Sequence, residues 1–167
     1  ASLGSLKLLF ANFTRFKRYA ACILIGVPIW YIVGILITFS PEIARELGVT
    51  DTVSAGLAIM YCYIGLVVGD FASGFLSQAL KSRKKVVYLF LVLSTIFIGG
   101  YGFIGGFSPS EFYALCVCLG FGSGYWAMFV TMASEQFGTN IRATVTTTAP
   151  NFVRGAVVPL SLIFNSL

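Results

Sequence analysis

Residues Gly65–Val87, GLVVGDFASGFLSQALKSRKKVV, carry the clearest indication of how this chain folds. One carboxylate, Asp70, lies in the middle of a segment that is otherwise almost wholly apolar. Four cations follow this segment: Lys81, Arg83, Lys84 and Lys85. A charge inside a membrane-spanning helix costs about 2.5–3.5 kcal/mol on insertion scales, so it is usually retained for a function. A basic cluster at the end of a span places that end in the cytoplasm. The stretch therefore predicts a polytopic membrane protein with a functional interior, and most directly a transporter.

The composition excludes an ordinary soluble domain. The chain has 167 residues, of which 57% are hydrophobic and only 10% are charged, whereas soluble domains carry about 25% charged residues. There is no histidine, so any proton chemistry would use carboxylates. The four cysteines, which lie in apolar runs without the spacing of a zinc site, are expected to be buried hydrophobes. We therefore predict no metal, no cofactor and no enzymatic activity, because no nucleophile–base constellation is present. The net charge of +5 is better explained by membrane orientation than by nucleic-acid binding.

Hydropathy divides the chain into an arm and a bundle, so the predicted fold is an all-α integral membrane protein. The bundle, 19–167, contains about five transmembrane helices, at about 19–39, 53–80, 86–106, 112–137 and 143–167. Each is long enough to cross the roughly 30 Å hydrocarbon core, and helices are required because lipid offers the backbone no partners. The arm, 1–18, places Leu6, Leu9, Phe13 and Phe16 at helical spacing among cations. This pattern predicts a short amphipathic helix on the membrane surface.

The charges fall unequally on the two sides of this arrangement. Nine cations belong to one side: Lys7, Arg15, Lys17, Arg18, Lys81, Arg83, Lys84, Lys85 and Arg142. The other side has Arg45 and the acids Glu42, Glu46, Asp51 and Glu111. This asymmetry predicts that the chain begins in the cytoplasm, in a bacterial plasma (inner) membrane.

Small residues mark places where predicted helices can approach closely. Gly65, Gly69, Ser73 and Ser77 form a small-xxx-small ladder along the second span. Gly120, Gly122 and Gly124 resemble a nucleotide-binding loop only superficially, because they lie inside an apolar span with no preceding strand. We expect them to serve helix packing or a flexible point.

Two charges, Asp70 and Arg154, lie deep inside predicted spans. Asp70 is 11 residues before Lys81, and Arg154 is 11 residues after Ala143, so both are about 16 Å from the cytoplasmic boundary. One hypothesis is a coupling site, in which Asp70 takes up a proton or binds a cation while Arg154 holds an anionic group. The other is a static ion pair, direct or through water, that fixes helix packing.

Several uncharged residues near the same depth are candidates for a substrate cavity. Asn151 lies three positions before Arg154, on the same helix face. Pro150 and Pro159 bracket the two and predict a bent helix. Two aromatic pairs also occur near mid-span: Trp30 with Tyr31, and Tyr125 with Trp126. They can line a cavity with polar ring atoms, or simply pack in the core.

A second group of candidates lies at the cytoplasmic turns. Glu135 and Arg142 flank the last turn, EQFGTNIR. They can form a gating salt bridge, although an exposed pair would contribute only about 0–1 kcal/mol. We group them with Gln78, Lys81, Arg83, Lys84 and Lys85 as gating-loop candidates.

Two segments resemble the major facilitator superfamily of secondary transporters. The junction GDFASGFLSQALKSRKKVV resembles that family's basic cytoplasmic loop between the second and third helices of a half. ASEQFGTNIRATVTTTAPNFVRG resembles the turn before the penultimate helix of the second half. The arm resembles the linker entering the seventh helix, so the five spans correspond to helices seven to eleven of a C-terminal half. Gln78 stands where the family's loop has an acid, and the family's GRR appears as Ser82, Arg83 and Lys84 with one extra residue before them.

The resemblance implies alternating access around a midplane site, with Trp30 and Trp126 lining the cavity and the second and fifth spans at the interface between halves. We expect symport of a small polar metabolite, an organic anion because of Arg154, with a proton or ion. The implied partners are lipid, the substrate and the N-terminal half of the same transporter, without which the fragment can dimerise through its exposed interface. The alternative is a non-transporting assembly factor or receptor on the same bundle.

Overall fold

The computed structural model describes residues 10–49, 51–103 and 108–164, and within these ranges it contains helices and no strands. Helix α1, Phe13–Tyr31, continues into a π-helical turn, Ile32–Leu36. The remaining helices are α2, Ser40–Glu46; α3, Ala55–Ala79; α4, Arg83–Phe103; α5, Pro109–Gly122; α6, Trp126–Glu135; α7, Thr139–Gly155; and α8, Val157–Phe164. The all-α fold class is confirmed.

Four apolar segments in the described ranges are long enough to cross a membrane: Phe13–Leu36, Ala55–Leu80, Arg83–Gly102 and Pro109–Glu135. They match the first four predicted spans. The fifth predicted span is instead two helices, because α7 ends at Gly155 and α8 begins at Val157. Helix α7 carries two arginines and five threonines, and α8 is too short to cross a membrane. The interruption lies between Pro150 and Pro159, where the sequence predicts a bent helix.

The first helix starts earlier than expected. The Asn12 side chain accepts a hydrogen bond from the Thr14 backbone N–H at 2.9 Å and thereby caps α1 at Phe13. Residues 13–18 of the predicted arm therefore belong to α1. Residues 1–9 of the arm lie outside the described residues.

Helices α3 and α5 pack backbone against backbone. A Cβ added at Gly65 would collide with the Val117 carbonyl oxygen, and one added at Gly120 would collide with the Cys62 carbonyl oxygen. A Cβ added at Gly69, the next residue of the ladder, would collide with the Phe121 carbonyl oxygen, and Ser73, four residues further, is fully buried. The predicted small-residue ladder is thus confirmed at Gly65, Gly69 and Ser73, because only residues without a large side chain allow this approach.

Two apolar clusters give the bundle its two ends. One joins α1, α6 and α7 around Tyr19, Phe129 and Val145. The other surrounds the π-helical turn and includes Phe112 and Tyr101. The Tyr101 hydroxyl donates to the Leu36 carbonyl oxygen at 3.0 Å, which gives this irregular turn a partner for its backbone. The candidate site lies against the first cluster, which contains Tyr125 and against which Trp30 and Trp126 pack.

Candidate functional site around Trp126

The fourth apolar segment is not one continuous helix. It stops at Gly122 and restarts at Trp126, and Gly124 contacts the backbone of α3 at Gly69. Tyr125, which lies in the break, is fully buried and donates its hydroxyl proton to the Ile25 carbonyl oxygen at 2.9 Å. An interrupted helix leaves backbone groups without intrahelical partners, and in an apolar environment such groups must find partners elsewhere.

Side chains from neighbouring helices supply partners at both ends of the break. The Ser94 hydroxyl of α4 lies 2.8 Å from the Gly122 carbonyl oxygen and 2.8 Å from the Phe90 carbonyl oxygen of its own helix, so its single proton is shared between the two acceptors. The Asp70 carboxylate of α3 accepts from the Ala127 backbone N–H, with 3.4 Å between Oδ1 and the nitrogen. Ala127 is the second residue of α6, where the partial positive charge of a helix N-terminus favours an anion. Asp70 therefore caps a half-helix that lies far from it in sequence.

Arg154 approaches the same half-helix from the other side. Its guanidinium carbon lies 5.3 Å from the centre of the Trp30 ring and 6.0 Å from that of the Trp126 ring. The two indole rings meet edge to face, with centroids 6.2 Å apart and an interplanar angle of 72°. This geometry is that of a cation–π interaction. Arg154 makes this interaction although its residue is exposed on the surface of the described bundle.

Asp70 and Arg154 thus both contact the beginning of α6, one next to the backbone at Trp126 and the other over its ring. They do not form a direct ion pair. Among residues 10–49, 51–103 and 108–164, the structure contains one ion pair, which joins Arg83 to Glu135. Pairing of Asp70 with Arg154 through water stays a prediction.

Exposed polar side chains occur on α6 and on α7 before Arg154. Thr131 of α6 and Thr147 and Asn151 of α7 are exposed, whereas the exposed side chains of α3 are largely apolar and include Phe71 and Phe75. The Thr147 hydroxyl donates to Ala143 O and the Asn151 amide donates to Thr147 O, at 2.5 and 2.9 Å. Because these donors bond within their own helix, α7 can be polar without a network of cross-helix partners.

The four mid-span aromatic residues separate into two groups. Trp30 and Trp126 come together at Arg154, and their predicted role as cavity lining stays a prediction. The two tyrosines do not join them. Tyr125 packs inward against α1 through its hydroxyl, and Tyr31 lines a groove near the end of the bundle opposite the basic cluster. The Trp30 indole N–H is buried without a hydrogen-bond partner among the described residues.

At the basic end, Glu135 pairs with Arg83 and not with Arg142. The salt bridge suggested between Glu135 and Arg142 is therefore wrong. Glu135 is the last residue of α6 and meets the first residue of α4, whereas Arg142 is exposed on the first turn of α7. The other gating-loop candidates are exposed around the turn between α3 and α4: Gln78 in the last turn of α3, Lys81 in the connection, and Lys84 and Lys85 in the first turn of α4.

Sequence reasoning missed two members of this arrangement, Ser94 and Ser123. Ser94 satisfies one end of the break, and Ser123 donates to the Leu119 carbonyl oxygen at 2.9 Å. In the structure both hydroxyls are fully buried. In the sequence each appears only as a serine within an apolar segment, which does not reveal its partner. In the part of the chain that the structure describes, no three His, Cys, Asp or Glu side chains form a metal-binding group.

Comparisons with known proteins give no relative: no protein-family model, no curated protein and no solved structure matches the chain.

Proposed function

We propose that this chain is the C-terminal half, helices seven to eleven, of a secondary transporter of the major facilitator type. It acts as a carrier and not as an enzyme. Support comes from the four apolar helices, the two sequence segments that resemble the family, and the unequal distribution of cations. On this proposal α7 and α8 form the fifth span, and the polar surface of α7 is acceptable because it lines a water-filled cavity. The chain lies in a bacterial inner membrane and begins on its cytoplasmic side.

The observation that carries the proposal is the convergence of two opposite charges on one residue. Asp70 caps the half-helix that Trp126 begins, and Arg154 lies over the Trp126 ring. A transporter that couples two solutes needs two sites whose occupancies affect each other. Trp126 provides a short physical connection between an acid suited to a proton and a cation suited to an anion.

The proposed mechanism follows from what each group does. A proton on Asp70 removes the negative charge that stabilises the N-terminus of α6, so Trp126 becomes free to shift. A shift of Trp126 weakens the cation–π interaction with Arg154 and releases the guanidinium to bind an organic anion. By linkage, anion binding at Arg154 favours protonation of Asp70 by the same free energy. Rocking of the two halves then carries both solutes across together.

The test is uptake by the complete protein in vesicles with an imposed pH gradient. The probes are radiolabelled lactate, succinate and citrate. We expect gradient-driven accumulation of at least one probe, loss of that accumulation in Asp70→Asn, and retention of probe exchange in the same variant. Asp51→Asn, which removes an exposed carboxylate elsewhere, is the matched control.

Arg154 is tested in the same vesicles. Arg154→Gln should abolish both accumulation and exchange, because the anion loses its counter-charge, while Arg154→Lys should retain part of both. Full gradient-driven accumulation in Asp70→Asn would contradict the coupling role. Absence of uptake for every probe would favour the alternative of a non-transporting membrane protein.

A further inference from the structure

A groove of about 450 Å³ opens near the end of the bundle opposite the basic cluster. It lies between the π-helical turn, α2, the end of α4 and α8. Its lining is mostly apolar and includes Leu36, Ile43, Ile98 and Phe164. The volume is within the range of about 300–1,000 Å³ that small-molecule sites occupy, and the lining favours hydrocarbon over water.

Two carboxylates belong to the same groove. Glu42 and Glu46 are one turn apart on α2, so they share a helix face. Both line the groove and both are exposed. Neither has a cation within 4.0 Å among the described residues, where the ion pair is at Arg83. The groove therefore combines an apolar interior with negative charge that no described protein cation neutralises.

The nearest cation in sequence belongs to a different surface. Arg45 lines a separate depression with Pro41, Val49 and Asp51. The positive and negative side chains of α2 thus belong to different surfaces. A ligand with a positive charge near Glu42 and Glu46 and an apolar part would complement the groove. Tyr31, which also lines the groove, offers an aromatic ring of the kind that ammonium groups favour.

We propose that this groove binds a phospholipid whose headgroup ends in an ammonium, such as phosphatidylethanolamine. An acyl chain occupies the apolar interior, and the ammonium lies at Glu42 and Glu46. The proposal requires that the chain lies in a membrane, but it does not require transport, Asp70 or Arg154. The lipid proposal can therefore fail while the proposed transport function holds, and transport can fail while lipid binding holds.

The charge part is tested by native mass spectrometry of the complete protein in a neutral detergent. The probes are phosphatidylethanolamine and phosphatidylglycerol with identical acyl chains, which differ by the ammonium. We expect tighter retention of phosphatidylethanolamine. Glu42→Gln with Glu46→Gln should lower its affinity about tenfold, with no change for phosphatidylglycerol. Asp51→Asn removes one negative charge outside the groove and should leave both affinities unchanged.

The apolar part is tested with two glycines of α4. Gly102 lines the groove, and a Cβ added there would meet no described atom within 4 Å. A side chain can therefore start at Gly102 without a clash at its Cβ, and Gly102→Leu should occupy part of the groove and reduce retention of both lipids. Gly99 also has open space around it but is not part of the lining, so Gly99→Leu should retain both. Equal retention of the two lipids by the unmodified protein, or unchanged retention in Gly102→Leu, would overturn the proposal.

Discussion

The Asp70 carboxylate accepts a hydrogen bond from the backbone N–H of Ala127 across 3.4 Å. A charge on one apolar helix thereby stabilises the start of a half-helix in another apolar segment. This contact gives the carboxylate of an apolar segment a structural role, and it places that carboxylate beside the second residue of the half-helix that Trp126 begins. The contact is with the backbone of α6 and not with Arg154, so the packing role it gives Asp70 differs from the static ion pair that the sequence suggested.

The cap predicts a difference between two substitutions of Asp70. Asp70→Ala removes the acceptor and should lower the free energy of unfolding by about 0.5–2 kcal/mol, the usual cost of losing an N-cap. The lower part of that range is expected because 3.4 Å is long for such a bond. Asp70→Asn keeps an acceptor oxygen and should cost less. Thermal unfolding in detergent measures both, and equal destabilisation by the two variants would contradict the cap.

The contact between α3 and α5 predicts that replacing glycine by alanine lowers the free energy of unfolding at Gly120 but not at Gly74. At Gly120 the added Cβ meets the Cys62 backbone, which cannot move aside. Overpacking of this kind costs about 1–3 kcal/mol. At Gly74 the Cβ meets no described atom within 4 Å, so Gly74→Ala should be neutral or stabilising by up to about 1 kcal/mol. Chemical or thermal unfolding of the two variants decides the matter, and a neutral Gly120→Ala would show that the helices are further apart.

The tryptophans report directly on Arg154. The chain has two tryptophans, and both are in contact with that guanidinium. We expect Arg154→Gln to change the intensity and the emission maximum of intrinsic fluorescence, because the charge beside both indoles disappears. The variants Trp30→Phe and Trp126→Phe assign the change to one ring or the other. Arg142→Gln, which removes an exposed arginine elsewhere on the same helix, should leave the emission unaltered. An identical effect of the two arginine variants would speak against the site.

The ion pair at the basic end predicts a specific energetic coupling. A double-mutant cycle of Arg83→Gln and Glu135→Gln should give a coupling of about 0–1 kcal/mol, since both side chains are exposed. The matched cycle of Arg142→Gln and Glu135→Gln should give none. A larger coupling to Arg142 than to Arg83 would restore the salt bridge that the structure contradicts.

The sequence predicted the helical class and the first four apolar segments because length and hydropathy alone define them. It also predicted the close approach at Gly65 and Gly69, since small residues at four-residue spacing line one helix face. The interruption near Arg154 followed from Pro150 and Pro159.

Other features depend on which helices are neighbours, and one sequence does not contain that information. The partner of Glu135 was wrong because α4 comes next to the end of α6 only in the folded bundle. The cap of α6 by Asp70 was missed for the same reason. The glycines near Ser123 indicated a flexible point, but the exact break depends on Ser94 and Asp70 from other helices.

The most direct test of the central claim is the number of protons taken up when an anion binds. The complete protein in weakly buffered detergent receives lactate, succinate or citrate, while a pH indicator records protons and tryptophan emission records binding. We predict uptake of about one proton per bound anion, and anion binding without proton uptake in Asp70→Asn. Equal proton uptake by Asp70→Asn and the unmodified protein would contradict the claim that Asp70 and Arg154 act together through Trp126.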